Sequence, residues 1–166
     1  MKKAVYIIIA VWFLIVAVWT IKSEIILRKG TEVLLKTVPV DPRDLFMGDY
    51  VILNYEIGQY NNNRRKNLKY GDKVYVILNK DKNNMVSIED VTSIKPYNKL
   101  FLEGKMSMCD TIIPLFKNGR CIKYGIESYY VKEGKGRELE RKLQNGAYVK
   151  VSITKDGKAK VKGFVE

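Results

Sequence analysis

The sequence predicts a single N-terminal transmembrane helix followed by a β-rich domain, mainly antiparallel and barrel- or sandwich-like, with one short late helix. Three observations support this fold class. Residues 4–21 carry no charge, short stretches of alternating apolar and polar residues recur between turn residues, and one later stretch, residues 137–144, has leucines four positions apart. We therefore divide the chain into an anchor with its extension, residues 1–29, and a β-rich domain, residues 30–166.

The uncharged run is long enough to cross a bilayer. A helix over residues 4–21 spans about 27 Å at about 1.5 Å per residue, close to the hydrocarbon thickness of a membrane. The alternative is a cleaved signal peptide, but no small-x-small cleavage site follows Val18. We therefore expect an uncleaved anchor whose partner is the lipid bilayer.

Flanking charges bear on the orientation of this anchor. Lys2 and Lys3 favour a cytoplasmic N-terminus, whereas Lys22, Arg28 and Lys29 on the other flank oppose it. Large following domains translocate largely regardless of their charge. The sequence thus predicts a single-pass protein of the cell membrane with its N-terminus in the cytoplasm and its C-terminal domain extracytoplasmic.

The helix is predicted to continue past the membrane as far as Lys29. Glu24 and Arg28 form a favourable i,i+4 ion pair, and Gly30 is a natural residue to terminate the helix. The domain then begins with a strand over residues 31–38, with Val33 and Leu35 on one face.

Later strands follow from the same alternation. Gly104 is predicted to mark a β-bulge, and Asp156-Gly157 to form a type I′ turn in a C-terminal hairpin. One of these predicted strands starts at Tyr50. The others cover residues 74–78, 85–95, 100–105, 147–154 and 158–165.

Residues 41–55, DPRDLFMGDYVILNY, organise the first part of the domain. Asp41 can cap a turn that begins at Pro42, and Gly48-Asp49 is a second turn signal. From Tyr50 the side chains alternate, which places the following residues on one face: Val51, Leu53, Tyr55 and Ile57.

Gly48, Asp49, Tyr50, Leu53 and Tyr55 fit the pattern GDYxxLxY. In this segment, and in a second one, YGIESYYVKEGKGRELE at 124–140, the chain resembles the GDYXXLXY domain family of small membrane-anchored bacterial and archaeal proteins. The resemblance covers residues 24–150. It implies a location and an architecture but no biochemical activity, because none is established for the family. Family members often occur beside polytopic membrane proteins, which implies such a protein as partner.

If these two signature segments meet in space, their polar residues share one surface. Tyrosines there would suit an interaction surface, whereas paired carboxylates can do acid–base work or bind a hard cation such as Ca²⁺. Turn capping explains the aspartates without chemistry, so we favour interaction over catalysis. The candidate patch comprises Asp41, Arg43, Asp44, Asp49, Tyr50, Tyr55, Tyr124, Glu127, Tyr130, Glu133 and Glu140.

Composition excludes several function classes. The chain has no histidine, which removes Ser-His-Asp and Cys-His catalysis and makes a zinc or copper site unexpected; we predict no metal and no cofactor. Cys109 and Cys121 are either a hairpin disulfide, if the domain is outside the cytoplasm, or two small buried thiols. The net charge of +12 suits attraction to anionic lipid headgroups. Alternatively, the lysines simply keep strand faces solvated. No nucleic-acid motif accompanies this charge.

The function predicted from sequence is an accessory, assembly or interaction module for another, polytopic membrane protein. The alternative is a cell-envelope hydrolase that uses carboxylates of residues 41–49 and 127–140 on a signal-peptidase-like β scaffold. The turn Gly48-Asp49-Tyr50-Val51 is similar to that of type I signal peptidases, but no serine lies between Ser23 and Ser87, so the nucleophile is missing. The sequence therefore indicates an enzyme less strongly than a binding module.

Overall fold

The computed structural model describes residues 2–38, 50–59, 68–109, 120–132, 139, 143 and 146–165. Within these residues, one continuous helix is followed by short strands, a single 3-10 turn at Glu56–Gly58 and the helical residues Leu139 and Leu143. The elements are α1 Lys2–Lys29, β1 Thr31–Lys36, β2 Tyr50–Ile52, β3 Lys73–Lys80, β4 Val86–Thr92, β5 Phe101–Met108, β6 Arg120–Lys123, β7 Ser128–Tyr130, β8 Tyr148–Ile153 and β9 Ala159–Phe164.

The strands form antiparallel sheets that curl toward one another. The strand orders are β1-β8-β9, β2-β7 and β4-β3-β5-β6. Isolated bridges connect them: Leu34 with Met85 in parallel, Thr37 with Tyr55 and Gln59 with Cys121, the last two antiparallel. The three- and four-stranded sheets therefore meet at β1 and β4 as a half-barrel, which confirms the predicted β-rich, mainly antiparallel fold.

Alternation along each strand decides which side chains enter the core. Burying a Val, Leu or Ile side chain contributes about 1.5–3 kcal/mol, so a strand with apolar residues at every second position turns that face inward. The faces predicted for β1, β3 and residues 51–57 are confirmed. The core includes Val33, Leu35, Val51, Leu53, Tyr55, Ile57, Val74, Val76, Leu78, Leu102, Met106, Val149, Val151 and Ile153.

The strand that the sequence predicts from Tyr50 is shorter than expected. It ends at Ile52, and the 3-10 turn follows at Glu56–Gly58. Part of the predicted late helix is visible: Leu139 and Leu143 are helical, and Leu143 is buried in the core. The rest of residues 137–144 lies outside the described residues, so the extent of that helix stays a prediction.

Two predicted local features of the sheets are wrong. In the C-terminal hairpin, the N–H of Gly157 donates to the Thr154 carbonyl at 2.9 Å, and the N–H of Thr154 donates to the Lys158 carbonyl at 2.8 Å. Gly157 has φ +79, and the only described non-glycine residues with positive φ are Asn84 and Asn98. The loop is thus a three-residue type with glycine in the left-handed position, not a type I′ turn, which needs two positive φ values.

Gly104 marks a close approach between strands, not a bulge. The pairing of β5 with β3 is continuous through it, and the pairing of β5 with β6 begins at the next residue, Lys105. A Cβ there would overlap the Ile122 side chain and lie 3.1 Å from the Lys123 carbonyl oxygen. The register shifts that do occur lie between β3 and β4 and between β8 and β9.

Helix α1 is long and apolar enough to cross a membrane. The most apolar 18-residue window of the segment Val5–Lys29 has a mean hydropathy of 2.3, and none of this window is buried against the domain. The predicted pair is present, with Arg28 Nε 2.7 Å from Glu24 Oε1. Both side chains are exposed, so this pair contributes little to stability.

The end of α1 is attached to strand β8. The hydroxyl of Ser152 is buried and donates to the Ile26 carbonyl at 2.6 Å, which satisfies one of the helix's terminal acceptors. Gly30 follows the helix as expected, but it is not among the residues with positive φ. Its Cβ would overlap Ser152 Oγ and lie 3.0 Å from the Ile153 carbonyl oxygen, so glycine is needed here for space.

This junction generates a prediction. Replacing Ser152 with Ala removes the shorter of the two hydrogen bonds to the Ile26 carbonyl and leaves the one from the Gly30 N–H at 3.3 Å, so the loss is that of one hydrogen bond, about 0.5–1.5 kcal/mol. We expect a lower thermal midpoint for the detergent-solubilised protein and faster amide hydrogen exchange over residues 26–30. The half-buried serine on β5, changed by Ser107→Ala, is the control and should leave exchange in α1 unchanged. Equal exchange in both variants would contradict the attachment.

Candidate functional site at the junction of the two signature segments

The two signature segments pair with each other through their backbones. Tyr50 lies opposite Tyr130 in the antiparallel β2–β7 pair, and Ile52 lies opposite Ser128. The pairing continues beyond β2, because the N–H of Leu53 donates to the Glu127 carbonyl at 2.6 Å. Segments far apart in the chain are thus brought together at one place in the domain.

Two tyrosines connect the segments reciprocally, and we call them the tyrosine clasp. The Tyr55 hydroxyl donates to the Ile126 carbonyl at 2.8 Å. The Tyr124 hydroxyl donates to the Ile57 carbonyl at 2.6 Å. Tyr55 of the first segment therefore donates to the second segment, and Tyr124 of the second segment donates to the 3-10 turn that directly follows the first. Since buried polar groups are costly unless paired, the clasp fixes how the segments pack.

The environment keeps both phenols of the clasp protonated. Burial raises the pKa of Tyr55 far above its ordinary value, and the nearby Glu127 charge raises it further. The same two causes, burial first, raise the pKa of Tyr124. Both hydroxyls consequently remain hydrogen-bond donors at any physiological pH, which suits a structural role.

Glu127 stabilises the turn that leads into β7. One carboxylate oxygen accepts the N–H of Tyr124, and the other accepts the N–H of Gly125 at 2.9 Å. Gly125 has φ +77, a left-handed conformation that glycine adopts without strain. The Glu127 carboxylate is therefore engaged in holding a tight turn, and Glu127 is the candidate carboxylate that the structure describes.

Tyr130 is the outward-facing tyrosine of the described patch. Its side chain is 79% exposed, whereas the ring of Tyr129 packs edge-on against Phe164 at 5.1 Å between centroids. Adjacent residues of a strand point to opposite faces, so one of these two tyrosines faces the core and the other faces outward. For Tyr50, the structure describes the backbone alone.

The remaining candidates stay predictions. Whether the charges of these candidates meet is not tested, because all of them lie outside the described residues: Asp41, Arg43, Asp44, Asp49, Glu133 and Glu140. Within the described part of the chain, no group of three or more His, Cys, Asp or Glu residues is arranged to hold a metal ion. Cys109 and Cys121 are thiols there, the first half-buried and the second buried.

Sequence reasoning missed a cleft between β1 and β4. It has a volume of about 420 Å³, and its lining includes Lys36, Glu56 and Gln59 beside apolar side chains. One signal was present: the alternation that buries residues 51–57 puts Gln59 on the same inward face. In the structure Gln59 is half-buried, with its Nε2 atom fully buried, and an amide on an inward face is unusual.

The clasp generates a prediction for single-atom changes. Tyr55→Phe and Tyr124→Phe each remove the hydroxyl that donates to a backbone carbonyl, that of Ile126 or of Ile57, so each should lower the free energy of unfolding by about 1–3 kcal/mol. Denaturant unfolding of the detergent-solubilised protein measures this. Tyr97→Phe is the matched control, because Tyr97 is 88% exposed, and its change should stay within about 0.5 kcal/mol. Clasp variants as stable as this control would show that the hydroxyls do not hold the segments together.

Comparison with known proteins agrees with this architecture. No curated protein and no solved structure matches the chain. A family model described as GDYXXLXY protein matches residues 12–164, which includes most of α1, both signature segments and the C-terminal hairpin. The chain therefore belongs to the GDYXXLXY family.

Proposed function

We propose that this chain is a membrane-anchored extracytoplasmic module that acts as an accessory or assembly partner of a polytopic membrane protein. The anchor is α1, whose apolar surface is not covered by the domain. Because Ser152 holds the end of α1 against β8, the domain would stay close to the bilayer surface. A domain held in this way is suited to contact the extracytoplasmic parts of a neighbouring membrane protein.

The observation that carries the proposal is that the described signature residues differ in where their side chains point. Tyr55, Tyr124 and Glu127 use their polar atoms on backbone groups of the domain itself. Tyr130, on the strand that joins the two segments, presents its ring to the outside. Tyrosine offers a large amphipathic contact area and is enriched at protein interfaces. We infer that this face, centred on Tyr130, receives the partner.

The hydrolase alternative needs carboxylates placed for acid–base chemistry. The described carboxylate of the patch, Glu127, uses both of its oxygens to accept backbone N–H groups of its own turn, which favours a structural role. No described contact favours hydrolysis, so we keep the interaction module as the proposal.

Site-specific photo-crosslinking tests the proposal. A benzophenone amino acid replaces Tyr130 in one variant and Tyr97 in another, since both side chains are highly exposed but Tyr97 lies outside both signature segments. After irradiation of intact membranes, we expect the Tyr130 variant to form one discrete adduct with a multispanning membrane protein, identified by mass spectrometry, and the Tyr97 variant to form much less of it.

Other outcomes contradict the proposal. If neither variant forms an adduct, or if both form the same adducts in equal amount, the signature face is not a specific partner surface. An adduct of Tyr130 with a second copy of this chain would replace the polytopic partner with self-association.

A further inference from the structure

The end of helix α1 packs on the β8–β9 hairpin. The helix contacts both strands of this hairpin, and its residues Ile26 and Leu27 are half-buried, whereas residues 5–21 are exposed. The Ser152 hydroxyl donates to the Ile26 carbonyl at 2.6 Å. The helix therefore ends on the side of the sheet to which the Ser152 side chain points.

The same side of the sheet carries three lysines. Lys160 lies opposite Ser152 in the β8–β9 ladder, and Lys150 is two residues before Ser152 in β8, so both side chains share its side. Lys162 reaches this side as well, because its Nζ lies 3.1 Å from Glu32 Oε2 and Glu32 lies opposite Ser152 in β1. We call this surface the anchor face, and it consists of Glu32, Lys150, Ser152, Lys160 and Lys162.

The hairpin carries a large excess of positive charge. Between residues 148 and 165 the chain has five lysines and one acid, Asp156. That acid is paired outside the hairpin, with Lys95 Nζ 2.9 Å from Asp156 Oδ1. On the anchor face, the Glu32 carboxylate is shared by two lysines, whose Nζ atoms lie 3.1 and 3.6 Å from its oxygens. These two acids leave most of the positive charge of the hairpin uncompensated.

Three of the hairpin lysines, Lys155, Lys158 and Lys160, form no ion pair within the described part of the chain. Lys155 and Lys158 are exposed and lie in the connection between the two strands. This connection follows Ile153, whose carbonyl lies beside Gly30 at the end of α1. Like charges held close together repel one another, and a nearby anion relieves that repulsion. The surface beside the anchor is therefore suited to a negatively charged partner.

The length of α1 places this surface at the depth of the lipid headgroups. The uncharged run ends at Ile21, and Ile26 follows after a rise of about 7.5 Å, at about 1.5 Å per residue. Each headgroup layer is about 5–8 Å thick, from the difference between the total and the hydrocarbon thickness of a bilayer. If residues 4–21 fill the hydrocarbon, as the proposed function requires, the hairpin lies at the outer limit of this layer. Lysine side chains extend their charged ends toward such an interface.

Charge and position together select one partner for this surface. Anionic phospholipid headgroups attract basic residues that lie just outside a membrane span, and they surround α1 wherever its apolar segment crosses a bilayer. Lysines that only keep a strand face solvated need no fixed place in a domain. These lysines instead lie beside the point at which the anchor leaves the domain.

We propose that the β8–β9 hairpin docks onto anionic phospholipid headgroups beside the membrane anchor. Lys155, Lys158 and Lys160 contact headgroup phosphates, and Ser152 holds the hairpin against α1 while they do so. This contact rests on the anchoring role of α1 in the proposed function and adds an electrostatic attachment to it. It restricts the tilt of the domain and so fixes which of its faces are directed along the bilayer.

Paramagnetic relaxation in lipid nanodiscs tests the docking. The full ¹⁵N-labelled chain is incorporated into nanodiscs of phosphatidylcholine alone, or of phosphatidylcholine and phosphatidylglycerol in equal amounts. Each nanodisc contains a trace of lipid with a gadolinium chelate on its headgroup. We expect the amides of residues 158–162 to relax faster in the anionic nanodiscs than in the neutral ones, because anionic headgroups hold the hairpin at the surface. Equal relaxation in the two compositions would overturn the proposal.

Two triple variants remove the same charge from different places. Each lysine near an anionic surface contributes about fivefold to the ratio of docked to undocked domain, or about 1 kcal/mol. The hairpin variant should therefore lower this ratio, read from the relaxation enhancement, by at least about tenfold, whereas the control variant should leave it unchanged. Equal losses would overturn the proposal, because net charge and not this surface would then attract the bilayer. The hairpin variant is Lys155→Gln, Lys158→Gln and Lys160→Gln, and the control, at exposed lysines outside the hairpin, is Lys80→Gln, Lys82→Gln and Lys132→Gln.

Salt tests the docking without any substitution. At about 1 M ionic strength the screening length falls to about 3 Å, so headgroups and lysines attract each other much less. The relaxation enhancement at residues 158–162 in anionic nanodiscs should then fall to the value seen in neutral ones, while α1 keeps the chain in the nanodisc. An enhancement that persists at high salt would contradict an electrostatic contact.

The outcomes also separate this contact from the proposed function. A chain that does not enter nanodiscs through α1 would remove the anchor, and both proposals with it. Loss of docking, with the chain incorporated and the Tyr130 adducts intact, would remove the hairpin contact alone. Loss of the adducts with docking intact would remove the accessory role assigned to the Tyr130 face and leave the lipid contact standing.

Discussion

The reciprocal hydrogen bonds of Tyr55 and Tyr124 are the constraint on which the rest of this domain depends. The Tyr55 phenol donates to the Ile126 carbonyl of the second signature segment, and the Tyr124 phenol donates to the Ile57 carbonyl just after the first. Burial keeps each phenol protonated as a donor. The short β2–β7 pair has three residues in each strand, and so small a ladder is marginal by itself. The clasp and the Glu127 turn add the contacts that hold it in one register.

Strand β1 links this junction to the remainder of the molecule. It receives α1 at Gly30, pairs with β8 along its length and touches β4 at Leu34. At its end, the buried Thr37 bridges to Tyr55, and its hydroxyl both donates to the Ala147 carbonyl at 2.9 Å and accepts the Ala147 N–H at 3.0 Å. The anchor, the signature junction and the cleft are therefore connected through one short strand, so the position of each depends on the others.

Sequence periodicity predicted the parts of the fold that depend on local patterning. The core faces of β1 and β3 and the C-terminal hairpin follow from side chains that alternate every second residue, which the chain reveals directly. Features that depend on close approach were misjudged. Gly30 and Gly104 leave room for atoms of distant residues, Ser152 and Ile122 respectively, and a single sequence does not show which segments will touch there.

The candidate site was likewise predictable only where it depends on local sequence. The pattern GDYxxLxY pointed to the right segments, and the pairing of β2 with β7 brings their backbones together. The use of Tyr55 and Tyr124 was not visible, because each hydroxyl reaches a carbonyl at least 67 positions away along the chain. The position of Gln59 at the seam between β1 and β4 was overlooked as well, because the strands that meet there come from distant parts of the chain.

Amide hydrogen exchange at Leu53 tests the central claim most directly, because this N–H donates to the Glu127 carbonyl at the signature junction. If the clasp holds the segments together, the Leu53 amide should exchange only through global unfolding, at a rate similar to that of Val76 in the centre of β3. Tyr124→Phe should then accelerate exchange at Leu53 more than exchange at Val76. Exchange at Leu53 as fast as at the amides of the exposed residues Tyr97 and Asn98, in the unmodified protein, would contradict the account.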